Sequence, residues 1–106
     1  MSFSAAQLYT PMGTPKTGEV QGGTTALQLP DVPCRWLRIK AASDNAGLVY
    51  IGDNVSVTKA TGSTNATAGW PLSPDGDTGW VPASNLNLFF RICDNTGDDL
   101  FYWTMK

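Results

Sequence analysis

Histidine is absent from this 106-residue chain, and glutamate occurs once, at Glu19. The side chain that most often moves protons near neutral pH is therefore missing. Charged residues make up only 15% of the sequence and leave a formal net charge of -2, so no long-range attraction draws the chain to nucleic acid or to an anionic membrane. No apolar run approaches the roughly 18 residues that a transmembrane helix needs. The opening residues, MSFSAAQLYTPMG, have neither the basic start nor the apolar stretch of a secretory signal, which predicts synthesis in a cytoplasm without a cleavable leader. Cysteine is scarce: Cys34 and Cys93 stand 59 positions apart, outside any CxxC pair. With no histidine and no third thiol, a zinc site lacks ligands. Two reduced, partly buried thiols are expected, with a disulfide formed after release from the cell as the alternative.

What is present points to one packed domain. Hydrophobic residues reach 42%, including four Trp, four Phe and three Tyr, enough large apolar surface to offset chain entropy. Residues 10 to 25, TPMGTPKTGEVQGGTT, hold two Pro and four Gly with few large apolar side chains and predict an extended arm over 1–25. From Ala26 to the last residue, short apolar runs alternate with turn signals about every ten residues. That spacing predicts a single all-β domain over 26–106, an antiparallel β-sandwich that is either a plain two-sheet sandwich or a jelly roll. No sustained i, i+3, i+4, i+7 pattern predicts a long helix.

Alternation assigns faces to the individual runs. In CRWLRIKAA, Leu37, Ile39 and Ala41 are predicted inward and Trp36, Arg38 and Lys40 outward. The continuous run in GLVYIGD suits a strand covered on both faces, followed by a tight turn at Gly52 to Asn54 into a short partner strand, Val55 to Thr58. NLNLFFRICD sets Leu86, Leu88, Phe90 and Ile92 on one face, with Asn87, Phe89, Arg91 and Cys93 opposite. DLFYWTMK follows across DNTGD, a turn composition that predicts a C-terminal hairpin. Phe89 lies on the polar face of the first strand while Phe101 and Trp103 share a face of the second, so both sides of that hairpin carry aromatics, and a second layer or a partner subunit must cover the extra side.

Few residues offer chemistry. Most of the aspartates fall in turn settings, SDNAG, GDN, PDGDTG and DNTGDD, where a short acid caps backbone N–H groups. No catalytic role, cofactor or metal is assigned. Asp75 and Asp77 resemble part of a calcium loop, but the acid that should close it downstream is missing. The glycosylation patterns at Asn54 to Ser56 and Asn65 to Thr67 matter only on a eukaryotic secretory route. Arg35, Arg38, Lys40 and Arg91 form a weak basic set without a phosphate-binding loop. Trp70, in GWPLSP, and Trp80, in GWVP, are expected to anchor the two ends of a surface excursion; as exposed platforms they would instead stack on sugar rings.

The order GLVYIGDNVSVT, a small-residue segment, GWPLSPDG, then NLNLFFRICDNTGDDLFYW resembles small virion structural proteins of tailed bacteriophages, of the capsid-decoration or head-fibre type. The elements that carry the likeness are Val49 to Asp53, Gly69 to Gly76, Asn85 to Leu86 and Gly97 to Trp103. It covers the chain from about Gly47 onward. Two departures are an aspartate inserted in SPDGD and the extension past Trp103. The resemblance implies an antiparallel β domain on the virion, at the capsid surface, without enzymatic activity. Its partners would be the major capsid protein and further copies of itself, a trimer being expected. Contact is expected through the arm, with Met12, Pro15, Lys16 and Val20, and through the outward set Trp36, Arg38 and Lys40. A fibre or spike module binding glycans through Trp70 and Trp80, or a head–tail or baseplate adaptor, is the alternative.

Overall fold

The computed structural model describes residues 13–59 and 65–106. Eight strands follow in chain order: β1 (Pro15–Val20), β2 (Leu27–Gln28), β3 (Trp36–Ala41), β4 (Val49–Gly52), β5 (Trp70–Leu72), β6 (Val81–Pro82), β7 (Phe90–Cys93) and β8 (Leu100–Met105). They form two four-stranded sheets, β1-β8-β3-β6 and β2-β7-β4-β5, in which every pairing is antiparallel. First pairs with last, β2 with β7, β3 with β6 and β4 with β5. Nested pairing of this kind, with the strands shared between two sheets, is the jelly roll. The all-β sandwich expected from the sequence is thus observed, with its topology now defined.

The core lies between the sheets. Leu37, Ile39 and Ala41 of β3 meet Val49 and Ile51 of β4, Leu72 of β5, Cys93 of β7 and Leu100 and Tyr102 of β8. Alternation on β3 is as expected, with Trp36 and Lys40 exposed, and β4 is buried at Val49, Tyr50 and Ile51. Each fully buried Leu or Ile contributes about 1.5–3 kcal/mol through area removed from water.

Four local expectations are corrected. The stretch expected as an arm enters the first sheet at Pro15. Proline is tolerated there because it opens an edge strand, where its missing N–H is not required. Gly18 lies opposite Tyr102, whose ring fills the space a β-carbon would occupy. The C-terminal hairpin does not form, because β7 and β8 belong to different sheets. Its turn residues are spent on neighbouring loops: Asp94 accepts from the Leu48 N–H at 2.9 Å, Asp98 from the Ala46 N–H at 2.9 Å, and Asp99 from the Gly22 N–H at 2.8 Å.

The single alternation expected from Leu86 to Cys93 is interrupted. Asn85 caps a 3-10 turn over Leu86–Leu88, accepting from the Asn87 N–H at 2.9 Å, and this turn breaks the period of two. Leu86 is buried, Leu88 is exposed, and Arg91 and Cys93 rather than Phe90 and Ile92 are buried. Finally, β4 pairs with β5 and not with Val55 to Thr58. That segment is a turn in which Val57 is buried, Val55 is exposed and Thr58 makes an isolated bridge to Ala68.

Candidate functional site: the aromatic outer face of the first sheet

Strand register arranges the outward residues of the first sheet in rows. Pro15, Met105 and Trp36 lie level, then Thr17, Trp103 and Arg38, then Glu19, Phe101 and Lys40. Trp36, Trp80, Phe101 and Trp103 are each between 42% and 48% exposed. The opposite side of these strands is already buried in the core, so the aromatics form a second apolar surface with no cover among the described residues.

The loop between β5 and β6 fixes the charges of this face. In PDGD, Asp75 adopts a left-handed conformation with φ 67°, and Gly79 follows with φ 71° just before Trp80. Asp77 accepts from Arg38 Nε at 3.1 Å on each oxygen, from the second guanidinium nitrogen at 2.8 Å, and from the Gly79 N–H at 2.7 Å. The Arg38 guanidinium lies 5.4 Å from the centre of the Trp80 ring, and Trp80 meets Trp103 edge to face at 5.6 Å and 63°. Lys40 Nζ is 2.8 Å from Asp75. Desolvation pushes the Asp77 carboxyl up, but hydrogen bonds from Arg38 and Gly79 outweigh it and hold the group below the usual carboxylate range. The hydrogen bond to Asp75 and its charge raise Lys40 above the ordinary lysine value. Asp75 and Asp77, the pair that resembled a calcium loop, are engaged with these cations.

A groove of about 520 Å³ runs over this face, lined by Thr17, Glu19, Arg38, Lys40, Phe101 and Trp103 among others. An aromatic floor with ion pairs fixed beside it can bind a partner by stacking, cation–π contact and hydrogen bonds. A second groove of about 450 Å³ lies at the β5–β6 edge, between Ile51, Asp53, Trp70, Val81 and Phe89. Trp70 is 69% exposed there. The two tryptophans expected to work together are therefore apart: Trp80 packs on Trp103, whereas Trp70 stands at the other groove and pins nothing.

The remaining expected contact residues divide. Trp36, Arg38 and Lys40 share the aromatic face, and Pro15 joins it through register with Met105. Lys16 has the opposite parity, level with Thr104, although it is exposed at the sheet edge. Val20 is buried in the core and cannot serve as a contact. Met12 lies outside the described residues. Glu19, Phe101 and Trp103 were not among the expected contacts. Alternation already set Phe101 and Trp103 on one side, but only the pairing of β8 with both β1 and β3 places them beside Arg38 and Lys40.

Elsewhere, buried polar groups hold loops together. Asp98 is 1% exposed and accepts from the N–H groups of Ala46, Gly47 and Asn95 and from the Asn95 side chain. Desolvation raises its pKa, and these hydrogen bonds together lower it below the usual range. Arg91 donates to the carbonyls of Gln21, Gly23 and Thr25, fastening the β1–β2 connection. Cys34 and Cys93 are buried and unbonded, and desolvation pushes both thiols up. Among the described residues no group of three His, Cys, Asp or Glu side chains gathers as a metal would require.

Fold and face together define an eight-stranded jelly roll with an aromatic, ion-pair-rimmed sheet surface. No family model, no curated protein and no solved structure matches the chain.

Proposed function

We propose that the protein is a capsid decoration protein of a tailed bacteriophage, a jelly roll that binds the assembled lattice of the major capsid protein and stabilises the head. The observation that carries this reading is the aromatic outer face of the first sheet, where four large aromatic side chains stand together on a domain whose core is already filled. Contiguous exposed apolar surface marks an interaction site, and Trp, Phe and Arg are enriched at protein interfaces. The resemblance of the segments around VYIGD, GWPLSPDG and GDDLFYW to small virion proteins supports the same reading. Jelly rolls recur in viral shells and lectins, which is an analogy of architecture alone.

The mechanism is equilibrium binding, with no covalent step. A protein that binds only the assembled lattice shifts the equilibrium toward assembly by mass action. Arranged as a trimer, three copies of the face would act together, so weak individual contacts add through effective concentration. Purified particles are expected to carry many copies and to burst at lower temperature when the protein is missing. Equal burst temperatures with and without it would sink the reading, and a copy number of only a few would favour an adaptor.

A second reading, a glycan- or receptor-binding module, is favoured by Trp70 alone, the most exposed of the large aromatics among the described residues, at the mouth of its own groove. Tryptophan fluorescence that shifts with host polysaccharide in the native protein and stays fixed in Trp70→Ala would support it.

A further inference from the structure

The groove over the first sheet carries one charge that its own subunit leaves unanswered. Arg38 is held by Asp77 and Lys40 by Asp75, each with a contact of 2.8 Å. Glu19 lines the same groove, level with Phe101 and Lys40, and makes no ion pair among the described residues. Counting Glu19, Asp75 and Asp77 against Arg38 and Lys40, the face is acidic by one charge. The exposed faces of Phe101 and Trp103 add to its preference for a cation, since aromatic rings attract positive charge electrostatically. Asp75 stands outside the groove lining and answers Lys40, so within the groove the carboxylate left over is Glu19. A second copy laid face to face would bring two faces of the same net sign together, and an anionic partner would meet the same repulsion.

We infer that the groove takes an extended segment of a partner protein in which a lysine or arginine lies two residues from an apolar side chain, on the same face. The cation meets Glu19, and the apolar group covers Phe101 and Trp103. This rests on the docking role proposed above and specifies the chemistry of what docks. An extended segment fits because β1, β8 and β3 run side by side beneath the groove, so side chains two residues apart on a partner strand would fall on successive rows of the sheet.

The test uses ¹⁵N-labelled full-length protein and three blocked nine-residue peptides, a Gly/Ser frame around Phe-Ser-Lys-Ser-Phe, Phe-Ser-Gln-Ser-Phe or Phe-Ser-Glu-Ser-Phe, so that both Phe side chains and the varied one share one face of an extended segment. Saturable shifts are expected at the Glu19 and Phe101 amides and the Trp103 indole N–H. Affinity is expected to fall in the order Lys, Gln, Glu by roughly two- to fivefold per step, the span of an exposed ion pair, and the spread is expected to shrink with added salt. In Glu19→Lys the order is expected to reverse, and in Glu19→Gln to flatten. Equal affinities for the three peptides, an unchanged order in Glu19→Lys, or shifts located away from the groove would overturn the inference. Failure of the native protein to bind undecorated capsids would overturn the docking role instead, a result the peptide order does not depend on.

Discussion

Replacing Asp98 with alanine is expected to destabilise the domain by about 3 kcal/mol at neutral pH. Its carboxylate accepts from the N–H groups of Ala46 at 2.9 Å, Gly47 at 3.3 Å and Asn95 at 3.1 Å, and from the Asn95 side chain at 2.9 Å. Removing it leaves these donors without a partner in a site that water scarcely reaches. A buried unsatisfied donor costs about 1–3 kcal/mol, and release from burying the charge offsets part of the sum. The pH dependence follows from linkage. Because the folded-state pKa is depressed, the contribution is present above the unfolded-state value of about 3.9 and is lost as pH falls through the folded value. The stability gap between the native protein and Asp98→Asn should therefore be widest near neutrality and narrow progressively below about pH 4. Urea unfolding at fixed temperature, repeated from pH 7 down to the acid limit of the folded state, reads this directly. Less than about 0.5 kcal/mol between the native protein and Asp98→Ala at pH 7, or an Asp98→Asn gap that does not change with pH, would refute the reasoning.

Gly18→Val is expected to cost about 2–4 kcal/mol because a side chain there enters the space of the Tyr102 ring; an unchanged melting temperature would count against the packing described. Arg91→Met is expected to speed amide exchange across residues 21–25 and lower stability by roughly 1–2 kcal/mol, since the carbonyls of Gln21, Gly23 and Thr25 lose their donor. Both cysteines are expected to resist alkylation in the folded protein and react fully in denaturant without reductant; failure to react when unfolded would indicate a disulfide.

How much was legible in the sequence depended on the distance over which information had to travel. Alternation placed Leu37, Ile39 and Ala41 inward and Trp36 and Lys40 outward, because period two is a property of the strand itself. The DNTGD turn misled because its composition is shared by hairpins and by crossovers between sheets. Only the loop at residues 45–48, whose backbone Asp94 and Asp98 cap, decides which one forms. The phase error at Arg91 and Cys93 has a local cause that could have been read: Asn85 followed by Leu-Asn-Leu is a capped turn, and three residues of 3-10 helix shift the parity of everything beyond. The aromatic face was half visible. Its residues were on the correct sides of their strands, but their meeting depends on β8 lying between β1 and β3, a long-range pairing that no window of sequence contains.

That same nesting has a consequence for how the chain acquires its structure. Register joins Pro15 to Met105, so β1 has no partner until Leu100–Met105 has been made. The innermost pair, β4 with β5, closes the shortest loop, and each outer pair must bring together segments farther apart, at an entropic cost that grows slowly with length. Contacts this distant place the domain among slow folders, on a scale of milliseconds to seconds. During synthesis β1 and the β8-facing edge of β3 wait for Leu100–Met105, which joins both. Removing those last residues is expected to orphan β1 and leave β3 paired with β6 alone, and stopped-flow refolding of the intact chain should show the tryptophans of the first sheet reaching their final fluorescence late.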